Sequence, residues 1–247
     1  MTLPTIDFLG YPVINLGQKN IDKLIKYFLS FSTPSLFTVI NANKLFLADK
    51  HTRLKKIMQN SDALLPEQAV VIGSRWLGTP LAGRISGIEF MEYVLEHAEE
   101  RGYTIFLYGA KEEVGQRLIE KYRHKFPKIK ILDYVHGFFA DNNILLERIN
   151  RAQPDFLFVA LGSPKQEYWM EENRHKINAK IMVGVGGSFD VLSGVKKRAP
   201  AWTQHGFEWL YRALQDWHRL DLWKRYLITN PYFVYRVLQY KFSGRSV

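Results

Sequence analysis

The sequence predicts an α/β fold: a Rossmann-like, doubly wound, mostly parallel sheet with a helical, basic appendage at its C-terminal end. Three observations carry this expectation. Strand-like and helix-like stretches alternate from about residue 35 to residue 185, the rhythm of repeated βαβ units. Glycine falls repeatedly at the ends of the predicted strands, where such sheets bind their ligands. Beyond Pro200 the pattern changes to long helical stretches rich in Trp, Tyr and Arg, interrupted at Asn230-Pro231.

Taken in order, SLFTVI at Ser35–Ile40 reads as a buried strand, 43–59 as a helix and the apolar run 69–72 as a short strand. A helix follows over Gly87–Arg101, stopped by Gly102, and then a strand over 103–108 closed by Gly109. The spacing next gives a helix over 112–126 ended by Pro127, a strand over 129–134, a helix over 143–152 and a strand over 156–161. Helix Lys165–Asn173 and strand 180–185 complete the alternation. The division expected is an α/β catalytic core over 1–200 and an appendage over 201–247, with no internal repeat.

At 247 residues, 47% hydrophobic and 23% charged, the chain has the composition of a folded protein. It has no cysteine, which excludes disulfides, thiolate catalysis and cysteine zinc sites and suits a reducing compartment. No run of about 18 apolar residues occurs, and Met1–Gly10 lacks a basic stretch leading into an apolar one, so neither spanning nor export is expected. The net charge of +10 points to an anionic partner. From Lys196 onward there are ten Lys or Arg against three acids, so seven of those charges lie in the last fifth of the chain.

Three segments carry candidate chemistry. Leu161-Gly162-Ser163-Pro164-Lys165-Gln166-Glu167 follows a strand and opens a helix. Gly162 permits close backbone approach, Pro164 sets the first turn, free helix-end N–H groups attract anions, and Lys165 and Gln166 add a charge and a directed hydrogen bond. The plainer reading is a strand-to-helix turn with solvated polar residues. In Gly184-Val185-Gly186-Gly187-Ser188-Phe189-Asp190, Gly186 and Gly187 allow a ligand close to the backbone, and Asp190 can accept from ribose hydroxyls or a base edge. Neither a G-x-G-x-x-G fingerprint nor a G-x-x-x-x-G-K-[ST] loop is present, which argues against a nicotinamide dinucleotide and a P-loop ATPase. The third segment joins Asn41 and Asn43, at the end of the first strong strand, to Glu67 and Arg84. A carboxylate that takes a proton, with a cation and amides that hold a leaving diphosphate, is what group transfer to a hydroxyl requires. The alternative is that Glu67 caps a turn and Arg84 pairs with a surface acid. No Asp-x-Asp pair or His cluster at ligand spacing occurs, so no metal is expected.

In these segments the chain resembles the WecG/TagA/CpsF glycosyltransferases. The likeness is densest in Leu161–Glu167, in VGVGGSFDVLSGVKKRAP at Val183–Pro200 and in GFEWLYRAL at Gly206–Leu214, and weaker from Val39 to Gly87. The resemblance implies transfer of a sugar from a UDP-sugar to an undecaprenyl-diphosphate-linked saccharide in bacterial cell-surface polysaccharide synthesis. It implies no cofactor or obligatory metal, and a basic C-terminal appendage that completes the site at the inner face of the cell membrane. Arg212 and Arg219 match appendage arginines that face the acceptor diphosphate, and a third falls near Lys224 or Arg225. The family commonly has Pro-Asp-Gly, with the aspartate as the proposed base, where this chain has Pro66-Glu67-Gln68.

Two other readings compete. A pI near 9.6 would also suit a nucleic-acid-binding protein, although no recognition motif for one is present and the charge sits in a Trp-rich tail that holds four of the six tryptophans. The Asp-to-Glu change could instead mark a catalytically silent homologue. The favoured expectation is an enzyme with a peripheral, lipid-facing tail and no nucleic-acid partner.

Overall fold

The computed structural model describes residues 3–200, 203, 208–215, 217, 218 and 220–243, apart from the side chains of residues 208, 212 and 221. Of the residues singled out in the tail, Arg219 and the side chain of Arg212 lie outside the described set.

β1 (Thr5–Phe8) and β2 (Tyr11–Ile14) form an antiparallel hairpin, followed by α1 (Ile21–Leu29), which buries Ile21, Leu24, Ile25 and Phe28. β3 (Ser35–Ile40) is buried along its whole length. The single helix expected over 43–59 is two, α2 (Ala42–Lys50) and α3 (Thr52–Gln59), divided by His51 in an extended conformation (φ −126°, ψ 95°). The bend lets α3 bury its own stripe of Leu54, Ile57 and Met58.

A second correction concerns the run AVVI at 69–72. The strand is ALLP, β4 (Ala63–Pro66), which pairs in parallel with β3 from Phe37↔Ala63 to Ile40↔Pro66. AVVI lies in α4 (Gln68–Trp76), where Val70 and Val71 are buried. Two four-residue apolar runs stand side by side in the sequence, and only pairing with β3 decides between them.

α5 (Gly87–Arg101) has the expected bounds, fixed by a capping box between Ser86 and Glu89 and by Gly102 at φ 70°. β5 (Thr104–Gly109), α6 (Glu112–Lys125), β6 (Lys130–Val135), α7 (Asn142–Ala152), β7 (Phe156–Ala160), α8 (Lys165–Asn173) and β8 (Ile181–Gly184) follow the predicted alternation, and the short α9 (Ser188–Leu192) forms where the sequence suggested a loop. Among the described residues the eight strands form one sheet, ordered β1-β2-β4-β3-β8-β7-β5-β6, parallel throughout except for the hairpin.

Alternation along the strands sends side chains to two covered faces. Phe37, Ile105, Phe156, Phe158 and Ile181 pack with residues of α1, α5, α6 and α9. Leu36, Phe106, Leu157 and Met182 pack with residues of α3, α7 and α8. A third cluster joins the hairpin and β4 to α2, α3, α4 and the last helix.

The tail forms α10 (Glu208–Gln215) and α11 (Leu220–Phe242). Pro231 does not break α11 as the sequence suggested. Proline removes one backbone hydrogen bond from a helix, but Thr229, Phe233 and Val237 are buried along one face and hold α11 across it. Phe233 stacks on Phe8 (6.1 Å between centroids), and Asp49 of α2 accepts from Tyr232 at 2.7 Å and from Arg236 at 2.5 Å.

Candidate active site

The carboxyl ends of β3, β4, β7 and β8 open into one cleft of about 680 Å³, bordered by the segment before α5 and by α11. Asn41 stands directly after β3. Its Oδ1 accepts the Lys44 N–H at 2.9 Å and so caps α2, while its Nδ2 donates to Glu67 Oε2 at 3.0 Å. Glu67 follows β4 in an extended conformation at the head of α4, and its backbone N–H donates to Ile40 O at 3.1 Å. The Glu67 carboxylate is therefore anchored to the ends of two adjacent strands. In the next segment, Ile85 N–H donates to Pro66 O at 2.8 Å. This brings Arg84 alongside, where its guanidinium contacts the carboxylate of Glu89, the acidic half of the α5 capping box. Glu89 is buried, so the partner of Arg84 is no surface acid.

On the other side of the cleft, Gly162 (φ +77°) precedes α8 and Gly186 (φ +54°) follows β8. Gln166 joins them: its Oε1 accepts the Gly186 N–H at 3.0 Å and its Nε2 donates to Glu167 Oε1 at 2.8 Å. A Cβ at Gly184 would lie 2.6 Å from Gln166 Nε2, so a larger residue there would displace the Gln166 amide. Beneath these loops Lys44 and Glu167 form a buried ion pair at 2.6 Å, and Ser163 Oγ also donates to Glu167 Oε1. Burial would raise the carboxyl pKa of Glu167, but the Lys44 ammonium beside it and the hydrogen bonds from Gln166 and Ser163 outweigh it and lower the pKa.

The cleft is lined by the predicted residues Asn41, Asn43, Glu67, Arg84, Gly162, Gln166, Gly186, Gly187, Asp190 and Arg225. Pro164 precedes α8 outside the lining, and Lys165 is exposed and does not line the cleft. Asp62, the other carboxylate near β4, lies at the amino ends of the strands, bonded to Leu36 N–H at 2.7 Å and paired with Arg174. Sequence reasoning missed Lys44, the role of Glu167, and Thr229 and Asn230. The last two line the cleft and carry Oγ1 and Nδ2 atoms that are buried without a partner among the described residues. Lys196, Lys197 and Arg198 add positive charge to the wall, Arg198 being bound to Glu92. Among the described residues no three His, Asp or Glu side chains gather as metal ligands.

A profile of the glycosyl transferase WecG/TagA/CpsF family matches residues 6–247. The chain belongs to this family. Among relatives, the N-acetylglucosaminyldiphosphoundecaprenol N-acetyl-beta-D-mannosaminyltransferase of Bacillus subtilis (strain 168) is 35% identical over 97% of this chain and 92% of its own. The enzyme of the same name from Staphylococcus aureus (strain MRSA252) is 35% identical over 96% and 93%. That of Bacillus spizizenii is 35% identical over 79% and 76%. In this WecG/TagA/CpsF member the sheet ends bring the three segments singled out for their chemistry to one cleft.

Proposed function

We propose that this glycosyltransferase moves a sugar from a UDP-sugar to a polyprenyl-diphosphate-linked saccharide, with inversion and without a metal ion, at the cytoplasmic face of the membrane. The observation that carries the reading is the meeting of Glu67, Asn41 and Arg84 with two glycine loops in one cleft. The names of the relatives make N-acetylmannosamine the first donor sugar to test and N-acetylglucosaminyl-diphosphoundecaprenol the first acceptor.

In this mechanism Glu67 takes the proton of the acceptor hydroxyl as its oxygen bonds to the anomeric carbon. The bond from that carbon to the nucleoside diphosphate breaks on the opposite face, so an α-linked donor gives a β-linked product. Arg84 and the lysines of the wall meet the charge that grows on the leaving diphosphate, work a metal ion would otherwise do. Gly186, Gly187 and Asp190 hold the nucleotide, while Thr229, Asn230 and Arg225 face the acceptor; the family resemblance adds Arg212 and Arg219 as contacts to its diphosphate.

The outer face of α11 supports a lipid-facing role. Leu227, Ile228, Tyr235, Leu238 and Phe242 are exposed, and the last four, separated by seven, three and four residues, share one side of the helix with Leu227 beside them and Lys224 and Lys241 close by. No described helix is long and apolar enough to cross a membrane. Incubation with a panel of UDP-sugars and short-chain lipid-diphosphate acceptors, read by product mass, tests the function. Transfer by the native protein disposes of a silent homologue, whereas no transfer together with tight, salt-sensitive DNA binding removes the proposal.

A further inference from the structure

Proton transfer at Glu67 leaves the Lys44–Glu167 pair without a chemical task. Glu167 has no exposed surface and Lys44 only 5%, and their charges meet at 2.6 Å, although the alignment falls short of a hydrogen bond. Glu167 Oε2 has no partner among the described residues. Withdrawing two charges from water is costly, and an apolar pair of similar volume commonly stabilises a fold as well or better. Cohesion alone therefore does not account for the pair.

Its connections do. Lys44 lies in the first turn of α2, and its own N–H is the one that Asn41 caps. Glu167 lies in the first turn of α8, where its Oε1 gathers Lys44 Nζ, Ser163 Oγ and Gln166 Nε2. That bond fixes which way the Gln166 amide faces, so its Oε1 is turned to the Gly186 N–H. An unbroken chain of contacts thus runs from Glu67 through Asn41, Lys44, Glu167 and Gln166 to Gly186, across the loops after β3, β4, β7 and β8.

We infer that Lys44 and Glu167 are positioning residues for sugar transfer: their buried contact sets the Asn41–Glu67 pair and the Gly186 loop in one register around the reacting atoms. The inference rests on the reading above that places the base at Glu67. An apolar pair would fill the space but supply no direction.

The test uses the full chain with Glu167→Gln, Lys44→Met and the double variant Lys44→Met/Glu167→Leu. The double variant is expected to melt near the wild-type temperature yet lose about 10²-fold in kcat, the scale of a small misplacement, with donor KM changed only a few-fold. Hydrogen exchange at the Gly186 amide should quicken in it while β5 amides stay as protected as before. A double variant with wild-type kcat overturns the inference. So does a raised donor KM with kcat kept, which would make Lys44 a direct donor contact, or unchanged exchange at Gly186. If the native protein transfers no sugar, the functional reading fails, and the Gly186 exchange still decides the positioning role.

Discussion

Asn41 holds Glu67 with one end of its amide and caps α2 with the other: Nδ2 donates to Glu67 Oε2 at 3.0 Å, and Oδ1 accepts from Lys44 N–H at 2.9 Å. Asn41→Asp keeps the capping oxygen but replaces the donor with a second carboxylate. Two neighbouring carboxylates raise the pKa of one of them, so the base should be protonated at higher pH than in the native protein. The acid limb of the kcat profile is expected to move upward in pH, with melting nearly unchanged at neutral pH. An unmoved limb would separate Asn41 from the base.

Glu67→Gln should lower kcat by about 10²- to 10⁴-fold, the usual contribution of a positioned base, with UDP affinity nearly kept. The competing carboxylate is already occupied, since Asp62 bonds Leu36 N–H and Arg174 at the opposite ends of the strands. Asp62→Asn should therefore act on melting temperature and not on kcat. Steady-state kinetics of the two variants side by side decides between them.

Gly73 gives a packing test of the tail. A Cβ there would stand 2.9 Å from Phe233 Cζ and 3.0 Å from Phe8 Cζ, both rings buried. Gly73→Ala should cost about 1–3 kcal/mol by overpacking. Combined with Phe233→Leu the cost should be less than the sum of the two, because the smaller side chain leaves room. Denaturant melts of the double-mutant cycle measure the coupling, and strict additivity would place Phe233 elsewhere.

Glu167 links stability to pH. Its lowered carboxyl pKa means that the folded state keeps the ion pair where the unfolded chain would already bind a proton. Its stabilisation is complete above the unfolded value of about 4.3 and is lost as pH falls toward the lower folded value. Glu167→Gln should flatten this acid-side loss. Melting curves from pH 7 down to pH 3 test it, and equal slopes for the two proteins would count against the ion pair.

The lipid-facing role is best tested by substitution on the outer face of α11. Removing the whole tail would also expose the buried side of α11, which packs Phe233 and Val237 into the core. Leu227→Glu with Leu238→Glu should reduce sedimentation with anionic vesicles and transfer to long-chain acceptors, while melting and UDP binding persist. Arg236, a headgroup contact on a simple charge count, is held by Asp49 and should contribute to packing. Equal vesicle binding by the double variant would make this face ordinary surface.

The sequence made the βαβ rhythm legible where strands are buried on both faces and helices carry their own end signals, as with Ser86, Glu89 and Gly102 around α5. It concealed the hairpin, whose strands are four residues each, and α1, whose Asn20 makes no side-chain capping bond. Asn41 was recognisable as a polar residue just past a strand end, and Glu67 and Arg84 chiefly through the family likeness. Lys44 was not, because a lysine in the first turn of a helix reads as solvated. Only α8, from far along the chain, brings Glu167 to it.

Phe8, in the first strand, finds its stacking partner in Phe233, in the last helix. During translation at roughly 5–20 residues per second, the ring made first waits on the order of 10–45 s for the second. Until then one flank of the nascent sheet lacks its apolar cover and the cleft lacks a wall. The cleft therefore takes its finished shape only after nearly the whole chain has emerged, which makes the completed site one of the last things the growing polypeptide acquires.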